Sequence, residues 1–346
     1  MSVVIEGGRV PKLLMRNNGS QRASSSGTSR AQAIRIALIN NMSDAALEDT
    51  ELQFFELLEV AAADVPISVK LYSLPELPRS DAGQQHLEKF YSRIQDLLNS
   101  HFDGMIMTGT EPRQPELRNE PYWPVLTEVL EWAEQSTSST VLSCLAAHAG
   151  VLHSDGIARH RLPDKQFGVF DYKKIGDHSL TDGIVEQMQI PHSRWNEVRA
   201  DALTSCGYEV LTQSAAAGVD LFVKKKQGSL FVHFQGHPEY GARTLLKEYR
   251  RDIKRFLRQE RETYPTAPQN YFDETSTNQL SEFRERAASA PSENLMADFP
   301  EAAVAQAVRS TWQTSAATVY RNWLQYLMSR KADVAAVSAM TPAVRA

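Results

Sequence analysis

Cysteine is scarce: 346 residues hold two, Cys144 and Cys206. That is too few for a disulfide framework, and it points to a reducing, cytoplasmic setting. The chain also lacks any apolar run near the roughly 20 residues a bilayer span needs, and its start has no apolar signal-peptide core, so no membrane is expected. A basic excess is missing as well. With a net charge of −5 there is no overall field to hold nucleic acid, and a small-molecule substrate becomes the default. No P-loop, no GxGxxG after a strand and no CxxC pair occurs, which removes the usual nucleotide and zinc-ribbon signals. Internal repeats are absent too.

What remains is a 42% hydrophobic chain able to bury a large core. Residues 1–33 set Arg9, Lys12, Arg16, Arg22 and Arg30 against the single acid Glu6, and include the polar stretch NNGSQRASSSGTSR. Such a composition reads as a disordered basic tail. From Ile34 the texture changes. IRIALIN, ISVKLYSL, FDGMIMTGT and TVLSC are short apolar runs, and between them lie the helical patterns DAALEDTELQFFELLEVAAA, GQQHLEKFYSRIQDLL and YWPVLTEVLEWAEQ. Strand–helix alternation of this kind predicts an α/β fold, a mostly parallel sheet flanked by helices in three layers. After about residue 165 the pattern turns β-rich, and VKKKQGSLFVHF reads as a hairpin with its lysines at a solvated tip. A basic helix through EYRRD and a last amphipathic stretch, AVRSTWQTSAATVYRNWLQYLMSR, complete a folded domain over 34–331, with 332–346 as a flexible tail.

Two stretches carry chemistry. In VLSCLAAHAG a strand ends in Cys144 and small residues lead straight into a helix. Such a turn exposes a nucleophile at the carboxyl edge of a sheet and aims the N–H groups of the first helical turn at it. Taken alone, the segment fits a buried inert thiol equally well. In QGHPEY a second strand runs into His237 and Glu239, an imidazole with a carboxylate two residues on, which is the base and orienter that a thiol nucleophile requires.

SCLAAHAG, LPDKQFGVFDY, IPHSRWNEV, GHPEY and EYRRD, in that order, together with ALEDTELQFFELL, DGMIMTGT, APQNYF and YRNWLQYL, resemble the homoserine O-acyltransferases usually called homoserine O-succinyltransferases, built on the class I glutamine amidotransferase-like fold. The resemblance runs from about Ile34 to Lys331. It implies Cys144 as acyl carrier, His237 as general base and Glu239 as its supporting acid, in a ping-pong transfer from acyl-CoA to the hydroxyl of L-homoserine in methionine biosynthesis. The backbone of Leu145 and of Gly109 and Thr110 would hold the oxyanion. Arg251 would bind the acceptor carboxylate, and Lys165 and Ser193 would make further substrate contacts. No bound cofactor and no metal is implied: acyl-CoA is a co-substrate. A homodimer is a family-level expectation.

Where the family commonly reads Cys-Trp-Gly-Ala-Gln-Ala-Gly, this chain has Leu145, Ala146 and His148 in place of Trp, Gly and Gln. His148 lies one helical turn from Cys144 and is read as a packing or secondary residue. A metal site of His148, His153 and His160 lacks a recognised spacing. Arg113 stands at the position that influences acyl-donor choice, where a guanidinium suits the free carboxylate of a succinyl group and offers nothing to acetyl. An acetyl-CoA-dependent or serine-accepting paralogue is one alternative, a class I glutamine amidotransferase-like hydrolase another, and an inactive binding protein a third. Lys165, Ser193 and Arg251 discriminate for acyl transfer.

Overall fold

The computed structural model describes residues 2–6 and 33–340, with side chains to 336. In chain order the strands and helices begin with β1 (Val3–Ile5), β2 (Ile34–Ile39), α1 (Asp44–Ala62) and β3 (Ile67–Tyr72). They continue with α2 (Asp81–Phe90), α3 (Ile94–Leu98), β4 (Gly104–Met107), α4 (Trp123–Ser136), β5 (Ser139–Ser143) and α5 (Leu145–Asp155). The β-rich part holds β6 (His160–Lys174), β7 (Gln187–Glu197), α6 (Ala200–Ser205), β8 (Glu209–Val210), β9 (Thr212–Ser214), β10 (Gly218–Val219), β11 (Leu221–Lys226) and β12 (Ser229–Phe234). Four helices close the chain: α7 (Thr244–Leu257), α8 (Glu274–Ser289), α9 (Glu301–Ala307) and α10 (Gln313–Met340).

The main sheet has the order β1-β3-β2-β4-β5-β12-β11-β8, parallel from β1 through β12 and antiparallel beyond. Its central strands are buried along their whole length, as the unbroken apolar runs require when helices cover both faces. On one face Phe54 and Leu58 of α1 pack with Trp323, Leu324 and Leu327 of α10. On the other, Leu126 and Leu130 of α4 pack with Ala146 and Ala149 of α5. This is the three-layer α/β arrangement expected. A second, antiparallel sheet, β10-β9-β6-β7, stands beside it, and α7 and α8 share a separate core with Phe167 and Trp312.

The structure departs from expectation at four places. The tail assigned to 1–33 begins with a strand: β1 pairs in parallel with β3 and buries Val3 and Ile5, while residues 7–32 lie outside the described residues. The tail assigned to 332–346 is helical to residue 340, because α10 continues through it. The helix expected over GQQHLEKFYSRIQDLL is broken at Tyr91–Arg93. There the Ser92 N–H donates to Leu71 O at 2.9 Å and the Tyr91 hydroxyl reaches buried Glu51 at 2.6 Å. Of the three lysines of the β11–β12 hairpin only Lys225 is exposed, and the other two are not a solvated tip. Lys224 Nζ lies 2.6 Å from Asp155 and Lys226, its side chain largely covered, pairs with Glu134 at 3.5 Å and with Ser154, leaving Gln227 and Gly228 to make the turn at positive φ.

Candidate active site

The site forms at the carboxyl ends of β5 and β12, which run parallel in register to Ser143 opposite Phe234. Cys144 follows β5 directly with φ 55° and ψ −116°, a conformation that side-chain-bearing residues avoid. It is held there because its N–H donates to Phe234 O at 2.8 Å while its carbonyl accepts the Ala147 N–H at 3.0 Å, so the residue ends a strand and caps α5 together. Gly109, after β4, leaves room for the elbow. A Cβ at Gly109 would stand 2.8 Å from Leu145 N and 2.7 Å from its Cβ. Thr110 and Leu145 border an apolar recess lined also by Leu117, Tyr122, Leu126 and Ala149.

β12 delivers the partner. His237 is buried and its Nδ1 lies 2.8 Å from Glu239 Oε1, which leaves Nε2 as the ring nitrogen available to the Cys144 sulfur, whose charge acts on the ring. Burial alone would lower the proton affinity of this imidazole. The charges of Cys144 and Glu239 and their hydrogen bonds outweigh it, and His237 titrates well above the ordinary histidine value. Glu239 also receives the Ser143 hydroxyl at 3.3 Å, and its Oε2 is buried without a hydrogen-bond partner among the described residues. Cysteine, imidazole and carboxylate therefore form one line.

A second group of charges lies one ring away. Tyr240 stacks on His237 with centroids 4.1 Å apart and donates its hydroxyl to Glu248 Oε1 at 2.7 Å. Glu248 Oε2 receives the Ser193 hydroxyl at 2.5 Å and lies 3.6 Å from Lys165 Nζ. Arg251, one turn along α7, is bound to Asp252 at 3.1 Å and lies 3.9 Å from Glu248. Lys165, Ser193 and Arg251, named from separate motifs, thus converge on one carboxylate. Neighbouring Arg250 points elsewhere, to Glu301 at 3.1 Å.

Other named residues lie apart from this line. The Arg113 side chain is exposed and makes no ion pair among the described residues, and what is held is its backbone N–H, on Glu120 at 2.5 Å. His148 is buried, with Nε2 2.9 Å from Gln235 Oε1; that oxygen also accepts the Val198 N–H, so the imidazole is the donor. Burial brings His148 down to about 3, so it stays neutral. No group of three or more His, Cys, Asp or Glu is arranged to hold a metal among the described residues. Sequence reasoning passed over Glu248 and Tyr240. Glu248 had a signal, since it lies three residues before Arg251 on one helical face.

Fold and site together define an α/β enzyme with a Cys–His–Glu line at the carboxyl edge of a parallel sheet. The family model for homoserine O-succinyltransferase matches residues 11–334. The chain belongs to that family and is an acyltransferase. It is 44% identical over 299 residues to a homoserine O-succinyltransferase of Rhodopseudomonas palustris, a match covering 86% of this chain and 90% of that one. With the corresponding protein of Bradyrhizobium japonicum the identity is 43%, over 85% of this chain and 90% of that one. Among solved structures it is similar to a glutamine amidotransferase from Thermotoga maritima, at 13% identity and a TM-score of 0.47, with 85% of this chain and 98% of that one covered. No helix among the described residues is long and apolar enough to cross a membrane.

Proposed function

We propose that the protein transfers a succinyl group from succinyl-CoA to the hydroxyl of L-homoserine by way of an acyl thioester on Cys144, a step of methionine biosynthesis. The observation that carries this is the juxtaposition of Cys144 with His237, whose Nδ1 is hydrogen-bonded to Glu239, and a charge-balanced cluster one ring beyond it. In the resting enzyme the imidazole and the sulfur share one proton, so the sulfur can attack the thioester carbonyl, and CoA leaves with that proton. The oxyanion that forms lies against the backbone of Leu145 and of Gly109 and Thr110. Acylation removes the sulfur's charge from beside His237. Its proton affinity then falls, and it becomes a free base for the incoming hydroxyl, with Glu239 holding the ring.

The acceptor is a zwitterion, and Lys165, Arg251, Glu248 and Asp252 present two charges of each sign. Arg251 and Lys165 take the α-carboxylate, while Glu248 and the Ser193 hydroxyl face the ammonium. Tyr240, held protonated by burial and by the charge of Glu248, spaces this cluster from His237. Succinyl is the donor named for the relatives, and exposed Arg113, on the loop between Thr110 and Leu117, both of which line the apolar recess, is the cation offered to its free carboxylate. The test uses purified protein with succinyl-CoA or acetyl-CoA, first alone and then with homoserine or serine, following CoA release and intact mass. We expect a succinyl adduct on Cys144 that homoserine discharges. No adduct from either donor with the thiol reduced would sink the acyl-enzyme.

A further inference from the structure

Asp220, between β10 and β11, is fully buried and belongs to none of the groups described so far. Its Oδ1 accepts the Gly236 N–H at 2.6 Å and lies 3.7 Å from His192 Nε2, and its Oδ2 has no hydrogen-bond partner among the described residues. Gly236 is wedged in place: a Cβ there would stand 2.7 Å from Ile190 Cγ2, 2.8 Å from His192 Cε1 and 2.9 Å from Asp220 Oδ1. The next N–H, that of His237, donates to Pro191 O on β7 at 2.9 Å. Both peptides that carry the chain into His237 are therefore fixed, one by β7 and one by the Asp220 side chain.

Behind Asp220 the polar groups form a single chain. Arg194 Nε can only donate, so its 3.2 Å bond to His192 Nδ1 places the His192 proton on Nε2, which donates to the Tyr172 hydroxyl at 2.8 Å; that hydroxyl in turn donates to Ala217 O at 3.3 Å. The guanidinium of buried Arg194 is otherwise bound by carbonyls, Asn196 O at 2.8 Å and Ala217 O at 2.6 Å, and has no carboxylate within ion-pair distance among the described residues. Asp220 is its counter-charge, seen across His192. A neutral side chain would receive the Gly236 N–H as well without the desolvation that a buried carboxylate suffers.

We propose that Asp220 is a positioning residue for His237, its carboxylate clamping the Gly236 peptide and setting, with His192 and Arg194 behind it, the field in which the imidazole gains and gives up its proton. Burial lifts Asp220 to about 7 against the pull of the Gly236 N–H, Arg194 and His237, and Glu239 adds to the rise. His192 is held neutral by burial and by the charges of Arg194 and His237, and Tyr172 by burial and Asp220. Ionised Asp220 favours the imidazolium; neutral Asp220 releases it.

The inference rests on His237 being the base, so the two half-reactions are measured separately. Asp220→Asn keeps the volume and an acceptor for Gly236 while removing the charge. We expect KM for homoserine unchanged, the transfer rate lower by about three- to tenfold, and its acidic limb moved down by about one pH unit. A variant that transfers at the parental rate with an unmoved limb overturns the proposal. Should the variant fail to fold, 13C spectra of the full-length parent labelled at the aspartate carboxyls decide. One carboxyl titrating near neutrality, with a concurrent shift of the His237 ring signals, supports it, and titration of every aspartate only below about pH 5 overturns it. Absence of an acyl adduct in the parent removes the functional reading instead, and the carbon spectrum still judges Asp220.

Discussion

The Tyr240 ring lies on the His237 imidazole, planes 17° from parallel, and its hydroxyl reaches Glu248 at 2.7 Å. One aromatic side chain thus touches both the imidazole proposed as base and the carboxylate proposed to face the acceptor. Tyr240→Phe keeps the stack and removes the hydrogen bond. KM for homoserine should rise about five- to tenfold, the net worth of one ordinary hydrogen bond, while acylation by succinyl-CoA alone proceeds at the parental rate. Stopped-flow traces of CoA release, with and without homoserine, separate the two.

Glu248→Gln probes the same carboxylate more severely. It leaves an acceptor for Ser193 but strips the charge that faces Lys165 and the acceptor's ammonium. Homoserine KM is expected to climb by about 10- to 100-fold, again with adduct formation intact. An unchanged KM would remove Glu248 from the acceptor site.

Glu239→Gln should act on the other half-reaction. The folded enzyme holds His237 above its ordinary value partly through this charge, so losing it lowers the proton affinity of the imidazole and weakens its pairing with the sulfur. Adduct formation should slow by about tenfold or more. A single-turnover pH series on intact mass would show it, and an adduct rate equal to the parent's would assign Glu239 a packing role.

Gly109→Ala tests the elbow by space alone. The new methyl would meet Leu145 N at 2.8 Å, at the place assigned to the oxyanion. Turnover should fall by about 100-fold with a melting temperature within a few degrees of the parent's, and full activity would show that the loop yields without cost.

Stability should decline on acidification below about pH 6.5. His148 and His233, both fully buried, are depressed to about 3, and His192 is also held far down by burial. Between the folded and unfolded values the unfolded chain binds more protons at each site, so each such histidine costs about 1.4 kcal/mol per pH unit of acidification. Asp220, raised to about 7 by burial, has the opposite sign and offsets about one of the three between pH 7 and its unfolded value of 3.8, leaving the other two to set the slope. His237, raised in the fold, contributes its full share of stability below its unfolded value and loses that share as pH climbs through the folded one, so it adds no slope to the acid side. Urea midpoints at pH 7, 6 and 5 should therefore fall steadily; a flat series would contradict the neutral burial of these rings.

Much of this was legible in the residues because it rests on period and on local turns. The β–α alternation to Ser143, the elbow at Cys144 and the His-Pro-Glu turn are each set by neighbours in sequence. What escaped depends on partners far along the chain. Val3–Ile5 is too short for its alternation to register inside a basic stretch, yet it finds β3 more than 60 residues on. Lys226 lies in a charge run that reads as solvated, and only the fold brings Glu134 and Ser154 under it. Asp220 looks like a turn acid until β12 returns beside it, and Glu248 like a helix-surface acid until β7 brings Ser193 within 2.5 Å.

The strand that bears Cys144 is finished by α10. Trp323 Nε1 donates to Ser139 Oγ at 2.9 Å, and that hydroxyl donates to Leu230 O of β12 at 2.6 Å, so the two strands that carry sulfur and imidazole are tied together by the helix made last. During synthesis the ribosome releases Cys144 long before His237, and both before Trp323. The nascent chain therefore exposes its thiol without the imidazole beside it, and the two strands are cross-tied only once Trp323, about 180 residues beyond Cys144, has emerged.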